Sequence, residues 1–168
     1  MQMIWHRILV VRKVFFYINL PAMHNHFMKE LVVRNEILID APVSKVWEVI
    51  IAPKFIRQWD SLPEDFGDYY LEVGREIDWS GNSRITVTEM VAHERLKLSF
   101  HLSKWDVPPS ASDTAYIYTL AEADGMTRLT LEIGDFAQLA EGESFYDTYL
   151  DFSEKALKKI SLLAENKA

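Results

Sequence analysis

The residues able to move a proton or hold a metal are scattered along this sequence. Glu64/Asp65 and Glu122/Asp124 are the acidic pairs that could share general acid–base work. The first falls in the polar run SLPEDFGD, and the second flanks Asp124-Gly125, a hairpin signal, so both read as solvated acids at turns. His101 stands beside Ser99 on the polar side of an alternating segment, which makes it an outward histidine; an inward base is the competing reading. His93 sits in a turn. The histidines of HNH at 24–26 lack an acidic or thiol neighbour, a poor basis for a metal site. Six glycines occur singly, with no GxGxxG or GxxxxGK phosphate loop, and neither HExxH nor GxSxG is present. There is no cysteine, which excludes disulfides, thiolate ligands and thiol nucleophiles and fits a reducing, cytoplasmic setting. These patterns assign no catalytic residue, no metal and no cofactor.

The aromatic residues, 12% of the chain, are more informative. Two tryptophans lie twelve positions apart in APVSKVWEVIIAPKFIRQW (41–59). Val43, Val46, Trp47 and Ile50 follow the i, i+3, i+4, i+7 rule of an amphipathic helix, so Trp47 is first a packing residue. Trp59 ends a second short helical turn beside a polar loop and is the pocket-rim candidate. The expected lining of a ligand pocket comprises Trp59, Trp79, Leu98, Phe100, Tyr116, Tyr118, Leu131, Tyr149 and Phe152. Apolar walls with a few hydroxyl tips are what small-molecule pockets look like, and a filled core looks the same.

The elements that must carry these side chains can be read from periodicity. ELVVRNEILID (30–40) is a strand with Val33, Ile37 and Ile39 on one face. Pro42 suits the start of a helix, and Pro53 divides the helical stretch in two. YYLEVGREIDWS (69–80) alternates around Gly74, which marks a bulge or bend, and Gly81-Asn82 is a hairpin signal. SRITVTEMV (83–91) returns, AHE turns, and RLKLSFHLSK (95–104) alternates strictly, with Leu96, Leu98, Phe100 and Leu102 against Lys97, Ser99 and His101. DVPPSAS is a loop; DTAYIYTLAE and TRLTLEIGDF flank the Asp124-Gly125 turn. Expected inward residues are Leu96, Leu98, Phe100, Tyr116, Tyr118, Leu120, Leu129 and Leu131. Phe145, Tyr149, Phe152, Ala156, Ile160 and Leu163 then form a helical stripe of about six turns, which must lie across the sheet.

At 168 residues the chain suits one domain, 49% hydrophobic and 26% charged. Its net charge of −7 is uneven: residues 1–29 hold four basic side chains and no acid, leaving 14 basic and 25 acidic side chains beyond them. So acidic a body is a poor match for phosphate backbones, so nucleic acid is not an expected partner. The basic, apolar start invites reading as a leader or anchor. Arg12 and Lys13 split it far below the roughly 20 residues of a membrane span. Residues 1–28 are therefore expected to be an extension outside the fold, with Met23 or Met28 as alternative starts, and 29–168 the domain; no membrane is an expected partner.

IDAPVSKVWEVI with PKFIRQW, then VTEMVAHERLKLSF, YTLAEADGMTRLTLEIGDF and the long final helix together resemble the SRPBCC (START-like, Bet v 1-like) superfamily. Within it they are most similar to the family related to the activator of the heat-shock-protein-90 ATPase, over roughly residues 31–165. The resemblance implies an α+β helix-grip fold: a curved antiparallel β-sheet around a long C-terminal helix, two short helices after strand 1, and a cavity between sheet and helix. Such proteins often carry proline before ERL, where this chain has AHERL. The eukaryotic activator engages its chaperone through a further amino-terminal domain to which the resemblance does not extend. The expected function is binding of a small hydrophobic ligand without catalysis. The alternatives are a chaperone-ATPase-activator-like interaction module in stress response and an aromatase/cyclase-type enzyme, which would need an inward His101, tyrosine or acid.

Overall fold

Strand β1 (Val33–Ile39) leads through Pro42 into helix α1 (Val43–Ile51) and, after a single intervening residue, helix α2 (Pro53–Trp59). The structure is a computed structural model and describes residues 29–167. The expectations for residues 1–28, the His-Asn-His run among them, lie outside the described residues. Ala52 joins the two helices: its N–H reaches the Glu48 carbonyl at 3.0 Å, and its carbonyl accepts from Phe55 and Ile56. Pro53 occupies the first turn of α2, where a missing N–H costs nothing. Val46, Trp47 and Ile50 are buried, as their spacing predicts.

Five more strands follow: β2 (Glu76–Asp78), β3 (Ser83–Val91), β4 (Arg95–Leu102), β5 (Ala115–Ala123) and β6 (Met126–Gly134). They form one antiparallel sheet in the order β1-β6-β5-β4-β3-β2. Register aligns Val87, Leu98, Tyr116, Ile133 and Val33 across five strands, all on the buried face. A slip by one residue would turn this row to solvent, which is why the alternation specifies the pairing. All eight residues expected to face inward are buried. The register shifts between Val87 and Glu89, a bulge that strengthens the curl of the sheet.

Two local expectations change. The strand expected over 69–80 shrinks to Glu76–Asp78, and Tyr69, Tyr70 and Val73 are exposed. Gly74, at φ 88°, bends the chain there: its N–H bonds the Val87 carbonyl, while Arg75 accepts from the Val87 N–H. The turn expected at Gly81-Asn82 is centred one residue earlier. Ser80 and Gly81 both have positive φ, and the Asn82 N–H bonds the Trp79 carbonyl at 3.1 Å. Asp124-Gly125 turns as expected, with φ of 53° and 80°.

Helix α3 (Gly142–Ala164) packs on β1 and β6 with α1 and α2 beside it. Phe145, Ala156, Ile160 and Leu163 are buried and Tyr149 and Phe152 partly so, while Asp147, Asp151, Glu154 and the lysines at 155, 158 and 159 are exposed. Polar contacts fix its position along the sheet. Asn35 Nδ2 donates to Ser153 Oγ at 2.6 Å, and Glu165 Oε1 accepts from the Asp40 N–H at 3.0 Å. Asp135 Oδ1 accepts from both Leu31 and Ala137 N–H groups at 2.8 Å, tying the β6–α3 connection to the start of the domain. No helix among the described residues is long and apolar enough to cross a membrane.

Gly142 opens α3 against this connection, and a Cβ there would run into the Phe136 carbonyl. Although alanine is the better helix former, Gly142→Ala is expected to cost about 1–3 kcal/mol by overpacking. Urea unfolding measures this, and an unchanged or raised midpoint would contradict the close packing.

Candidate functional site

The interior space lies between the inner face of β2–β5 and the end of α2. Ile77, Trp79, Ile85, Leu98, Tyr116 and Tyr118 form its sheet side. Ile50, Ile56, Trp59 and Asp60 close it from the helices, and Ser61, Leu62 and Leu71 from the segment after α2. Its volume is about 20 Å3, room for about one water molecule. A cavity between sheet and α3 was expected, but no α3 residue lines this space. The reason is aromatic bulk. Phe136 stacks on Tyr149 with ring centres 5.2 Å apart, and Phe100 packs on Tyr116 at 4.6 Å and on Tyr149 at 5.3 Å, so side chains fill the gap beneath the helix.

The nine expected lining residues therefore divide. Trp59, Trp79, Leu98, Tyr116 and Tyr118 line the space. Phe100, Tyr149 and Phe152 belong to the aromatic wall behind Tyr116, and Leu131 is fully buried in the sheet core. Trp59 stands inside the space, 6% exposed, rather than at a rim. Its indole N–H donates to the Val49 carbonyl at 3.0 Å, and its ring meets Tyr118 edge-on at 6.2 Å. Packing of α2 against α1 turns it inward, a rotation that helical spacing alone does not reveal.

Sequence reasoning missed Asp60. It follows Trp59 at the end of α2, where its N–H caps the Ile56 carbonyl at 2.7 Å, and it borders the space that Trp59 lines. Burial raises its carboxyl above the usual range, against the Ser61 N–H at 2.7 Å and the more distant charge of Lys159, which hold it down. Tyr116, Tyr118 and Tyr149 are all pushed up, by burial first and with the negative charge of Asp60 contributing to each. These phenols stay protonated, so the space combines hydroxyl donors with one carboxyl acceptor. An acid just past a helix end in a polar stretch carries no sequence signal beyond that of an ordinary solvated residue.

His101 lies on the outer face of β4, bordering an open cleft of about 330 Å3 with Arg84, Ser99 and Ser112. The charges of that cleft are already matched, Arg84 pairing with Asp78 at 3.1 Å. The imidazole meets Trp105 edge-on at 5.4 Å, and its Nδ1 is buried without a hydrogen-bond partner among the described residues. It is therefore outward but half covered, and it does not reach the interior. Trp105, between the strand expected over 95–104 and the DVPPSAS loop, folds back over Phe100 and Phe145 and is buried.

Desolvation of Asp60 has a direct consequence for stability. Its folded pKa lies above the unfolded one, so the ionised form weakens the fold above that range and the penalty vanishes as pH falls below both values. Asp60→Asn keeps an acceptor for Ser61 and is expected to raise the melting temperature at neutral pH, with the gain fading in acid. Thermal melts across pH test this, and a lower melting temperature at neutral pH would contradict it.

Solved structures share this architecture. The chain is similar to protein MLL2253 from Mesorhizobium loti at 20% identity and a TM-score of 0.65, over 82% of this chain and 98% of that one. It is similar to the protein in the solution structure of the Aha1 dimer from Colwellia psychrerythraea at 13% identity and a TM-score of 0.62, over 81% and 97%. CalU16 from Micromonospora echinospora matches at 22% identity and a TM-score of 0.58, over 82% and 74%. Identities this low establish a common helix-grip fold. No curated protein matches the sequence significantly. Residues 40–156 match the model of the family described as "Activator of Hsp90 ATPase homolog 1-like protein", well over half the chain. With the curved six-stranded sheet, the paired short helices and the closing helix all in place, the chain belongs to this family within the SRPBCC superfamily.

Proposed function

We propose that this protein binds a small apolar molecule, built around a ring, between β2–β5 and the end of α2, with no catalysis of its own. The observation that carries this reading is a narrow interior space walled by Trp59, Trp79, Tyr116 and Tyr118 with a desolvated acid at its border. Rigid aromatic walls with a few polar groups suit ring-shaped ligands. The space is too small for such a ligand as it stands, so binding displaces a wall. The candidate wall is the segment 61–74, in which Leu71 is the one buried side chain and its N–H bonds the Ile51 carbonyl at 3.0 Å. Leu62 and Phe66 pack on the core only in part, and the Arg57 bonds to Gly67 and Asp68 are exposed, so the segment opens at lower cost than the sheet core.

Burying about 300 Å2 of ligand at about 25 cal/mol per Å2 contributes roughly 7 kcal/mol. Ordering the ligand and opening the segment remove several kcal/mol, leaving dissociation constants on the order of 100 μM for simple ring compounds. Tryptophan fluorescence reads this directly, because Trp59 and Trp79 face the space. A saturable shift with small aromatic compounds, or an apolar molecule retained through purification and seen by native mass spectrometry, is expected. No shift across such a panel and nothing retained would overturn the reading.

A second reading, an accessory that engages a chaperone ATPase, is supported by the family description and by Tyr69, Tyr70 and Val73, which stand 71%, 49% and 61% exposed on the same segment. It predicts that the protein stimulates a purified heat-shock-protein-90 ATPase and that Tyr69→Ser with Val73→Ser weakens the effect. An unchanged ATPase rate with no complex would exclude it.

A further inference from the structure

Given the interior site proposed above, we propose that Asp60 selects its ligand: the site takes a ring compound that presents a hydroxyl or amine donor and rejects the matching carboxylate.

The argument starts from unused acceptor capacity. A carboxylate offers about four lone-pair positions, and among the described residues the one hydrogen bond that Asp60 accepts comes from the Ser61 N–H. Lys159, the basic group that acts on it from α3, does so at a distance rather than through a hydrogen bond. Among the described residues every other group that borders the space is apolar, a hydroxyl or an indole, so Asp60 holds the only full charge in that lining. The geometry is also fixed. The Asp60 backbone is held by its bond to Ile56, and the preceding Trp59 by its bond to Val49, so the carboxyl is presented from a rigid point rather than from a loop.

A ligand hydroxyl or ammonium aimed at Asp60 supplies a donor that the protein does not. Such a charge-assisted bond is stronger than a neutral one. A ligand carboxylate meets the opposite situation: a like charge close to Asp60, next to low-dielectric aromatic walls, where repulsion is poorly screened. Turning that ligand round does not help, because its charge would then lie against the apolar lining, which includes Ile50, Ile77 and Leu98. The tyrosine hydroxyls can serve either kind of ligand, so discrimination falls to Asp60.

Three probes of one shape separate the outcomes: naphthalene, 2-naphthol and 2-naphthoate. They are titrated against tryptophan fluorescence at mildly alkaline pH, which favours the ionised form of Asp60. 2-Naphthol is expected to bind about tenfold more tightly than naphthalene, and 2-naphthoate about tenfold or more weakly. In Asp60→Asn, checked for folding by circular dichroism, the naphthoate penalty should disappear and the naphthol advantage shrink. Equal binding of the three, or naphthoate binding best, would overturn the selection while leaving the interior site standing. The expected order persisting unchanged in Asp60→Asn would overturn the role of Asp60. Binding of none of the three would overturn the interior site and the selection together.

Discussion

Phe136, with no exposed surface, lies among Phe100 of β4 and Phe145 and Tyr149 of α3, and this aromatic wedge sets where the long helix can rest. A helix of 23 residues with one apolar stripe is unstable until that stripe is covered. A flat sheet would touch it along a single line. The bulge in β3 and the curl it promotes let strands far apart in the sheet converge on the same rings. The wedge then fills the region beneath α3, and the remaining interior volume is displaced toward β2 and the end of α2.

That displacement gives the two ends of the interior different characters. Beneath α3 the core is packed ring on ring, and its polar contacts, such as Asn35 with Ser153, are mutually satisfied. Near α2 the wall includes a segment with one buried side chain, and a carboxyl stands at the border of an aromatic space. A fold that cares only for stability gains nothing from a partly buried acid without a close basic partner. The ring-on-ring packing lies in one half of the molecule and the small unfilled space in the other.

The outer surface fits the same division. His101 and the serines and threonines of the convex face lie over strands whose inner residues are fully committed, and the Arg84–Asp78 pair neutralises the cleft they border. Besides Leu38 and Val91 on the strands, the exposed large apolar residues Tyr69, Tyr70 and Val73 fall on the segment that also closes the interior.

Local patterns were enough for most of the architecture. Strict alternation at 95–102, the positive-φ turn at Asp124-Gly125 and the 4-3-4-4-3 stripe of the last helix each report a single element, and each is realised. Alternation also named the inward residues, because a strand has only two faces. What it could not report is how those faces meet. The strand expected at 69–80 shortens because the chain turns over 72–75, with Gly74 at positive φ and the Arg75 N–H on the Glu72 carbonyl, and meets β3 only from the Gly74 and Arg75 bonds to Val87 onward. Trp59 reads as a rim residue because its burial depends on its contact with Val49, and the burial of Trp105 has no local signal because it depends on Phe100 and Phe145. Asp60 was invisible for the same reason. Sequence determined the elements and their buried faces, since periodicity is a property of one segment. Only the tertiary structure decided which end of the interior stays nearly closed but unfilled and which acid borders it, since volume and desolvation belong to several segments at once.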